Sequence, residues 1–396
     1  MPNNNLTKAK KAKNDEFYTQ YGDIEKEINA YINYDPNVFR GKVVYCNCDD
    51  PFESNFFRYF ANKFKEYGLK KLITTIYVGS PIAQMQLPGF AKSSNEKKLP
   101  ERKNRKAFKI EINKVVDLTR DGITNLKDVK WLLEHDKNAS AVLQGDNVYC
   151  AGDFRSKECV ELLKEADIVV TNPPFSLFRE YIKQIADHDK KFLIIGNMNA
   201  IAYKEIFPLL KENKIWLGNN CKVNGGAMFF EIPEGIANLD QVREIKMNES
   251  GKKIYITRVQ GVRWFTNLDH GRRHQPIPLM SEAEVIKFVT KKPFDKYDNY
   301  DAIEVSLVKN IPSDYKGVMG VPISFFDKYS PEQFEIIGLG IANLGLSVGV
   351  KPYKPEHRKY RKEIQKRGTV NGDLYMVKDG VVEVPYARVL IKHKKK

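Results

Sequence analysis

The run Ala166-Asp167-Ile168-Val169-Val170-Thr171 ends abruptly in Asn172-Pro173-Pro174-Phe175, and this junction limits what the chain can fold into more than any other stretch. The apolar, β-branched run predicts a buried strand. Two consecutive prolines donate no backbone hydrogen bonds and fix their own φ, so the chain must leave the sheet here in a set direction. In an open α/β sheet, ligands bind in the crevice beyond the carboxyl ends of the strands. An amide, an exposed carbonyl and an aromatic ring then arrive together at a binding edge. Taken alone, the tetrapeptide reads more simply as a core strand stopped by proline, with a packing Phe.

The surrounding pattern favours the binding edge. Lys42-Val43-Val44-Tyr45-Cys46 reads as a first central strand ending in Asn47-Cys48-Asp49-Asp50-Pro51-Phe52. A helix over 54–67 follows, with Phe56, Phe57, Phe60 and Phe64 on one face and Gly68 as its C-cap, and then a strand over 71–78. Strand, helix, strand implies a parallel sheet. An amphipathic helix over 23–34 precedes this unit. Beyond it the spacing predicts helices over 128–135, 157–164, 178–186 and 201–210, and strands over 141–143 and 191–196. Strands near 214–217, 227–230 and 262–265 have no clear helices between them, which predicts an antiparallel end to a mostly parallel sheet. Residues 79–113 read as a basic surface insertion, because 91–109 hold eight Lys and Arg, two acids and Ser93-Ser94-Asn95. Turn-rich, basic texture from His270 sets a boundary near residue 270, followed by a smaller α+β lobe.

Composition excludes some classes and points to a partner. No apolar run is long enough to span a bilayer and the start of the chain is polar, so a cytoplasmic protein without membrane contact is expected. Cys46, Cys48, Cys150, Cys159 and Cys221 lack the paired spacing of a zinc site or disulfide framework, so no metal is expected. Of the net charge of +15, residues 1–13 carry four Lys and no acid, and residues 351–396 carry 14 Lys and Arg against five acids. Cations clustered at both ends of a nearly neutral body fit a polyanion, because counterion release rewards clustering.

Phe17-Tyr18-Thr19, the Asp-Pro-Phe after the first strand, Gly152-Asp153-Phe154 before a helix and Asn172-Pro173-Pro174-Phe175 resemble the ordered motifs of S-adenosylmethionine-dependent amino-methyltransferases. More narrowly, Lys8-Ala9-Lys10-Lys11, the string 15–21 and the string 43–51 are similar to EcoRI-type adenine-specific DNA methyltransferases. The specific strings cover most of the first 200 residues, with scattered ones such as 317–326 beyond. The resemblance implies a Rossmann-like methyltransferase domain over 14–270, a basic arm over 1–13 and a DNA-recognition lobe over 271–396. It implies S-adenosylmethionine as cofactor, double-stranded DNA as partner and a monomer acting on it, within restriction and modification.

The same resemblance assigns roles. Asn172, Pro173, Pro174 and Phe175 would hold and stack a flipped adenine whose amine attacks the sulfonium methyl directly. Phe17, Tyr18, Thr19, Asp49, Asp50, Pro51, Tyr77, Asp153, Phe154 and Asn172 would surround the cofactor. Read by themselves, Asp49, Asp50 and Asp153 also suit helix capping, and Tyr77 and Phe154 suit core packing. Lys10, Lys11, Lys13, Arg272, Arg273, Arg358, Arg361 and Arg367 are the expected DNA contacts. The usual glycine-rich cofactor turn is replaced by Asp50-Pro51-Phe52-Glu53-Ser54-Asn55, as in EcoRI-type enzymes, and no carboxylate ends the second strand. An RNA or protein-glutamine amino-methyltransferase, and an inactive DNA-binding protein on the same fold, are the alternatives.

Overall fold

Apolar strands alternate with amphipathic helices along the chain, and the strands assemble a large central sheet in a computed structural model. It describes residues 18–48, 54–76, 107–114, 128, 131, 140–220, 227–232, 242–247 and 253–394. The chain divides into two units, Met1–Met198 with Gly218–Asp269, and Asn199–Leu217 with His270–Lys396.

The first unit contains strands β1 (Tyr18–Thr19), β2 (Val43–Cys46), β3 (Lys71–Thr75), β4 (Ala107–Ile112), β5 (Ser140–Leu143), β6 (Ile168–Thr171), β7 (Lys191–Asn197), β8 (Ala227–Ile232), β9 (Val242–Met247), β10 (Lys253–Gln260) and β11 (Val262–Thr266). Its main helices are α1 (Tyr21–Tyr34), α2 (Asn55–Asn62), α3 (Lys157–Glu165) and α4 (Phe178–Asp187). Within this unit the large sheet runs β5-β4-β3-β2-β6-β7-β11. β3, β2, β6 and β7 are parallel to one another. Antiparallel strands flank them on both sides, β4 and β5 on one and β11 on the other, rather than at one end only. The extra antiparallel edge comes from β4, which lies inside the stretch expected to be an insertion. Its Lys109 and Glu111 give a loop-like composition, yet they pair with each other at 2.6 Å while Ala107, Ile110 and Ile112 turn into the core.

All four residues of β2 and of β6 are buried, as a strand covered on both faces requires. Ile24, Ile28 and Tyr31 of α1 and Phe56, Phe57 and Phe60 of α2 join Val44, Leu72, Val170 and Leu193 in one core. Each such Phe contributes about 1.5–3 kcal/mol by leaving water. The helix expected over 54–67 breaks at Lys63 into α2 and a single turn, Phe64–Tyr67, closed by Gly68 at φ 62°. The helix expected over 201–210 is reduced to Phe207–Lys211, since Pro208 is tolerated only in a first turn.

A second sheet of the same unit runs β1-β8-β10-β9 and is antiparallel throughout. β10 passes into β11 through Gly261 alone, whose φ of +72° is one that L side chains rarely adopt. In the second unit the sheet order is Ala302–Glu304, Val318–Pro322, Arg388–His393, Phe334–Gly340. Buried Glu304 there accepts from Arg388 at 2.8–3.1 Å through both carboxylate oxygens, and from Tyr297. No helix among the described residues is long and apolar enough to cross a membrane.

Glu27 is fully buried and ties α1 to the residues before β8. It accepts from Tyr31 Oη at 2.8 Å and from the backbone N–H groups of Asn219 and Asn220 at 2.7 and 2.8 Å. Burial outweighs these bonds and pushes its carboxyl up from the ordinary 4.5. The folded state therefore holds this proton more tightly than the unfolded chain does. The stability so gained is complete below pH 4.5 and is lost as pH rises through the raised value. Denaturant titrations of wild type and Glu27→Gln across that window should show the wild type losing stability relative to the variant as pH rises; parallel curves would contradict it.

Candidate active site

Parallel strands end at one edge of a sheet, and at this edge the polar groups of three strand ends satisfy one another. Thr74 Oγ1 donates to the Cys46 carbonyl at 3.0 Å, joining β3 to β2. Tyr45 Oη and Thr75 Oγ1 lie 3.1 Å apart, and Thr75 Oγ1 donates to Asn47 Oδ1 at 3.2 Å. Thr171 Oγ1, at the end of β6, donates to the Asn47 carbonyl. Asn47 is 2 % exposed, so these bonds are made away from water. Burial raises the Tyr45 hydroxyl well above its usual range and keeps it a neutral donor. Cys48 follows at φ +67°, a conformation that costs an L residue roughly 1–2 kcal/mol.

The Asn172 tetrapeptide leaves this edge directly. Pro173 is buried, and Asn172, Pro174 and Phe175 are half-buried. The Pro174 carbonyl accepts from Leu177 N–H at 2.9 Å and starts a 3₁₀ turn, Phe175–Leu177, that runs into α4. No described residue donates to the Pro173 carbonyl. One part of the Phe175 ring packs on the core and the rest stays accessible. α4 is locked onto β7 by Phe178, which approaches so closely that a Cβ on Gly196 would lie 2.3 Å from its ring. The prolines set the direction of exit, and Gly196 permits the close seating of the helix that follows.

The residues expected around a cofactor separate into groups. Thr19 is 2 % exposed, its carbonyl accepts from Asn55 Nδ2 at 2.8 Å, and its Oγ1 has no hydrogen-bond partner among the described residues. Tyr18 pairs with Glu231 in β1 and β8. Asp153 precedes α3, but the cap of that helix is Ser156, which accepts from Cys159 N–H at 3.4 Å. Both Asp153 oxygens instead accept from Arg155, at 2.9 Å from Nε and 2.8 Å from Nη2, and this pairing holds the guanidinium's pKa up. Phe154 is 3 % exposed with its ring 4.9 Å from that of Tyr181, so it serves as core. Phe17, Asp49, Asp50, Pro51 and Tyr77 lie outside the described residues.

The expected DNA contacts also divide. Lys10, Lys11 and Lys13 lie outside the described residues. Arg273 is only 8 % exposed: its guanidinium sits 3.7 Å from the Trp216 ring centroid and donates to Asn213 Oδ1. That buried stacking is an internal role, whereas Arg272 beside it is half-buried. Arg358 donates to Asn371 Oδ1 at 2.7 Å and Arg361 to Gln365 Oε1 at 2.9 Å, both from the helix Pro355–Glu363, and Arg367 is exposed. Among the described residues no group of His, Cys, Asp and Glu is arranged to hold a metal ion.

Asn47 and Thr171 are the positioning residues that sequence reasoning passed over; polar residues closing adjacent parallel strands were the available signal. Thr171→Val would leave the buried Asn47 carbonyl without its donor, a loss of about 1–3 kcal/mol. Thr171→Ser keeps the hydroxyl, so chemical denaturation should place it clearly above Val and nearer wild type; equal losses would remove the hydrogen bond from the argument.

Comparison with known proteins shows the family to which the chain belongs. Residues 5–394 match the family described as adenine-specific methyltransferase EcoRI. The type II methyltransferase M.EcoRI of Escherichia coli is 42 % identical over 391 residues, 98 % of this chain and 96 % of that protein. M.MpnI of Mycoplasma pneumoniae, also named a type II methyltransferase, is 36 % identical over 332 residues, 84 % of each chain. No solved structure matches significantly. A family match across nearly the whole length, joined to a Pro-Pro exit at the edge of a parallel sheet, places the chain among the EcoRI-type adenine-specific DNA methyltransferases.

Proposed function

We propose that the chain methylates N6 of adenine at a specific site in duplex DNA, with S-adenosylmethionine as donor, as the modification half of a cytoplasmic restriction-modification pair. The first unit is read as a Rossmann-like methyltransferase domain and the second as the DNA-recognition lobe, the whole acting as a monomer. The observation that carries the reading is the Thr171 to Asn47 bond, which joins the strand bearing Asn172 to the strand that leads into Asp49 and Asp50.

The chemistry asks little of the protein beyond positioning and charge stabilisation. An exocyclic adenine amine is a poor nucleophile because its lone pair is delocalised into the ring. Asn172 Oδ1 and the Pro173 carbonyl would accept its two N–H groups, favouring the pyramidal nitrogen and stabilising the positive charge it develops. The Pro174 carbonyl already accepts from Leu177, which leaves the Pro173 carbonyl the less engaged acceptor. Phe175 would stack on the base, which must leave the duplex to be reached. S-adenosylmethionine supplies the electrophilic sulfonium methyl when bound.

The residues present fit such a cofactor. The orphaned, buried Thr19 Oγ1 is a polar atom that a ligand against β1 would satisfy. Thr19 with Phe17 and Tyr18, and one of Asp49 and Asp50 before Pro51, are assigned to its methionine end; Asp153 and Tyr77 are assigned to its adenine end. Asp153 keeps acceptor capacity beyond its Arg155 bonds. Phe154 contributes by packing against Tyr181. DNA backbone contact is assigned to Lys10, Lys11, Lys13, Arg272, Arg358, Arg361 and Arg367, whereas Arg273 is occupied with Trp216 and Asn213.

Labelled S-adenosylmethionine incubated with duplex DNA should place label on adenine N6. Asn172→Ala should lower kcat by about 10²-fold or more, on the scale of losing one preorganised polar contact at the reacting group, while leaving cofactor binding intact. Label found only on RNA or protein would overturn the reading, and so would cofactor-independent DNA binding with no transfer.

A further inference from the structure

The antiparallel pair β9 and β10 was not expected from the sequence and is absent from the roles assigned above. In β9 the side chains from Arg243 to Met247 are exposed on both faces, Ile245 at 53 % and Met247 at 62 %. β9 is also the last strand of its four-stranded sheet and leaves one open edge; β10 pairs with β8 from Tyr255 to Gln260, so only Lys246–Met247 against Lys253–Ile254 stand beyond that pairing as a two-stranded ribbon. Its base is anchored: Ile256 and Thr257 of β10 are 3 % exposed, and β10 passes into the large sheet through Gly261.

Across the two strands stand Arg243, Lys246, Lys253 and Arg258 against the single acid Glu244. Lys246 lies 3.5 Å from Glu244, with both side chains about half exposed. Arg243 occupies the register shift between Val242 and Glu244, an irregularity of the kind that re-aims a side chain. The cross-strand pairs Ile245 with Tyr255 and Met247 with Lys253 place apolar and basic groups side by side on one face. From β1, which carries Thr19, to β9 is three strand spacings, about 14 Å.

We infer that the β9–β10 ribbon is a second DNA-contacting element, which enters the major groove of the duplex whose adenine the strand-end site methylates. The inference rests on the proposed function for the identity of the substrate. The B-DNA major groove, about 12 Å wide, admits a two-stranded ribbon. The basic groups face phosphates, and Ile245 and Met247 suit thymine methyl groups at the base edges. The excess of four cations over one acid across the two strands favours a polyanion over a second copy of the chain at this open edge.

The test uses the full-length protein, mixed-sequence duplex DNA and the triple variant Arg243→Gln, Lys253→Gln, Arg258→Gln. Its affinity for DNA should fall at least 10-fold. The slope of log affinity against log salt should become shallower by about 0.9 for each phosphate that the variant no longer neutralises. S-adenosylmethionine binding should be retained, and methylation should show a raised KM for DNA with kcat little changed. Should the triple variant not fold, each single substitution should still reduce the slope by about 1. Wild-type affinity and slope in variants that bind cofactor would overturn the inference, as would a wild-type dimer that the substitutions dissociate. A wild type that binds duplex DNA in a ribbon-dependent way but transfers no methyl group would sink the catalytic reading and leave the ribbon standing. A wild type that methylates DNA, with variants indistinguishable from it, would do the reverse.

Discussion

The carbonyl of Asn47 is the point on which the strand-end site depends. Parallel strands present unpaired backbone groups where they stop, and buried groups of that kind must find partners. Here the partner for the end of β2 is the hydroxyl of Thr171, one residue before Asn172. The Asn47 side chain meanwhile receives Thr75 from β3. One residue therefore fixes the relative heights of three strands, and the tetrapeptide inherits a defined origin. The two prolines can then convert that origin into a direction, because their φ angles leave little freedom.

The same corner explains how the chain does without a glycine-rich turn. A tight exit from β2 still needs a residue in the left-handed region, and Cys48 supplies it at φ +67°. Its thiol donates to Asn47 Oδ1 at 3.4 Å, so the side chain that creates the strain also helps to hold the hub. Strain of this kind persists only where neighbours over-determine the geometry, as the three laced strand ends do.

Much of this was legible in the sequence. Strands β2, β6, β7 and β11 announced themselves as apolar, β-branched runs, and the phenylalanine face of α2 and the Gly68 cap followed from helical periodicity. What escaped was structure built from charged residues. β4 alternates Ile110 and Ile112 with Lys109 and Glu111, and β9 alternates Ile245 with Glu244 and Lys246, so neither offers an apolar run. Arg273 escaped for the opposite reason: composition marks it as a surface cation, and only the placement of Trp216 makes a buried stack worthwhile. The resemblance named the tetrapeptide and Thr19 as site residues, while the strand-to-strand bonds that organise them needed three-dimensional pairing to be seen.

The division of the chain bears on how the protein comes into being. The second unit takes Asn199–Leu217 from the middle of the sequence and the rest from His270 onward. Ile201, Ile206, Phe207, Leu210 and Leu217 are all buried, and they leave the ribosome well before the chain that completes their unit. During synthesis this apolar segment must wait while Gly218–Asp269 finishes the other unit. A cut near residue 270 would separate Asn199–Leu217 from the rest of its unit, so that position does not divide the chain into its two units.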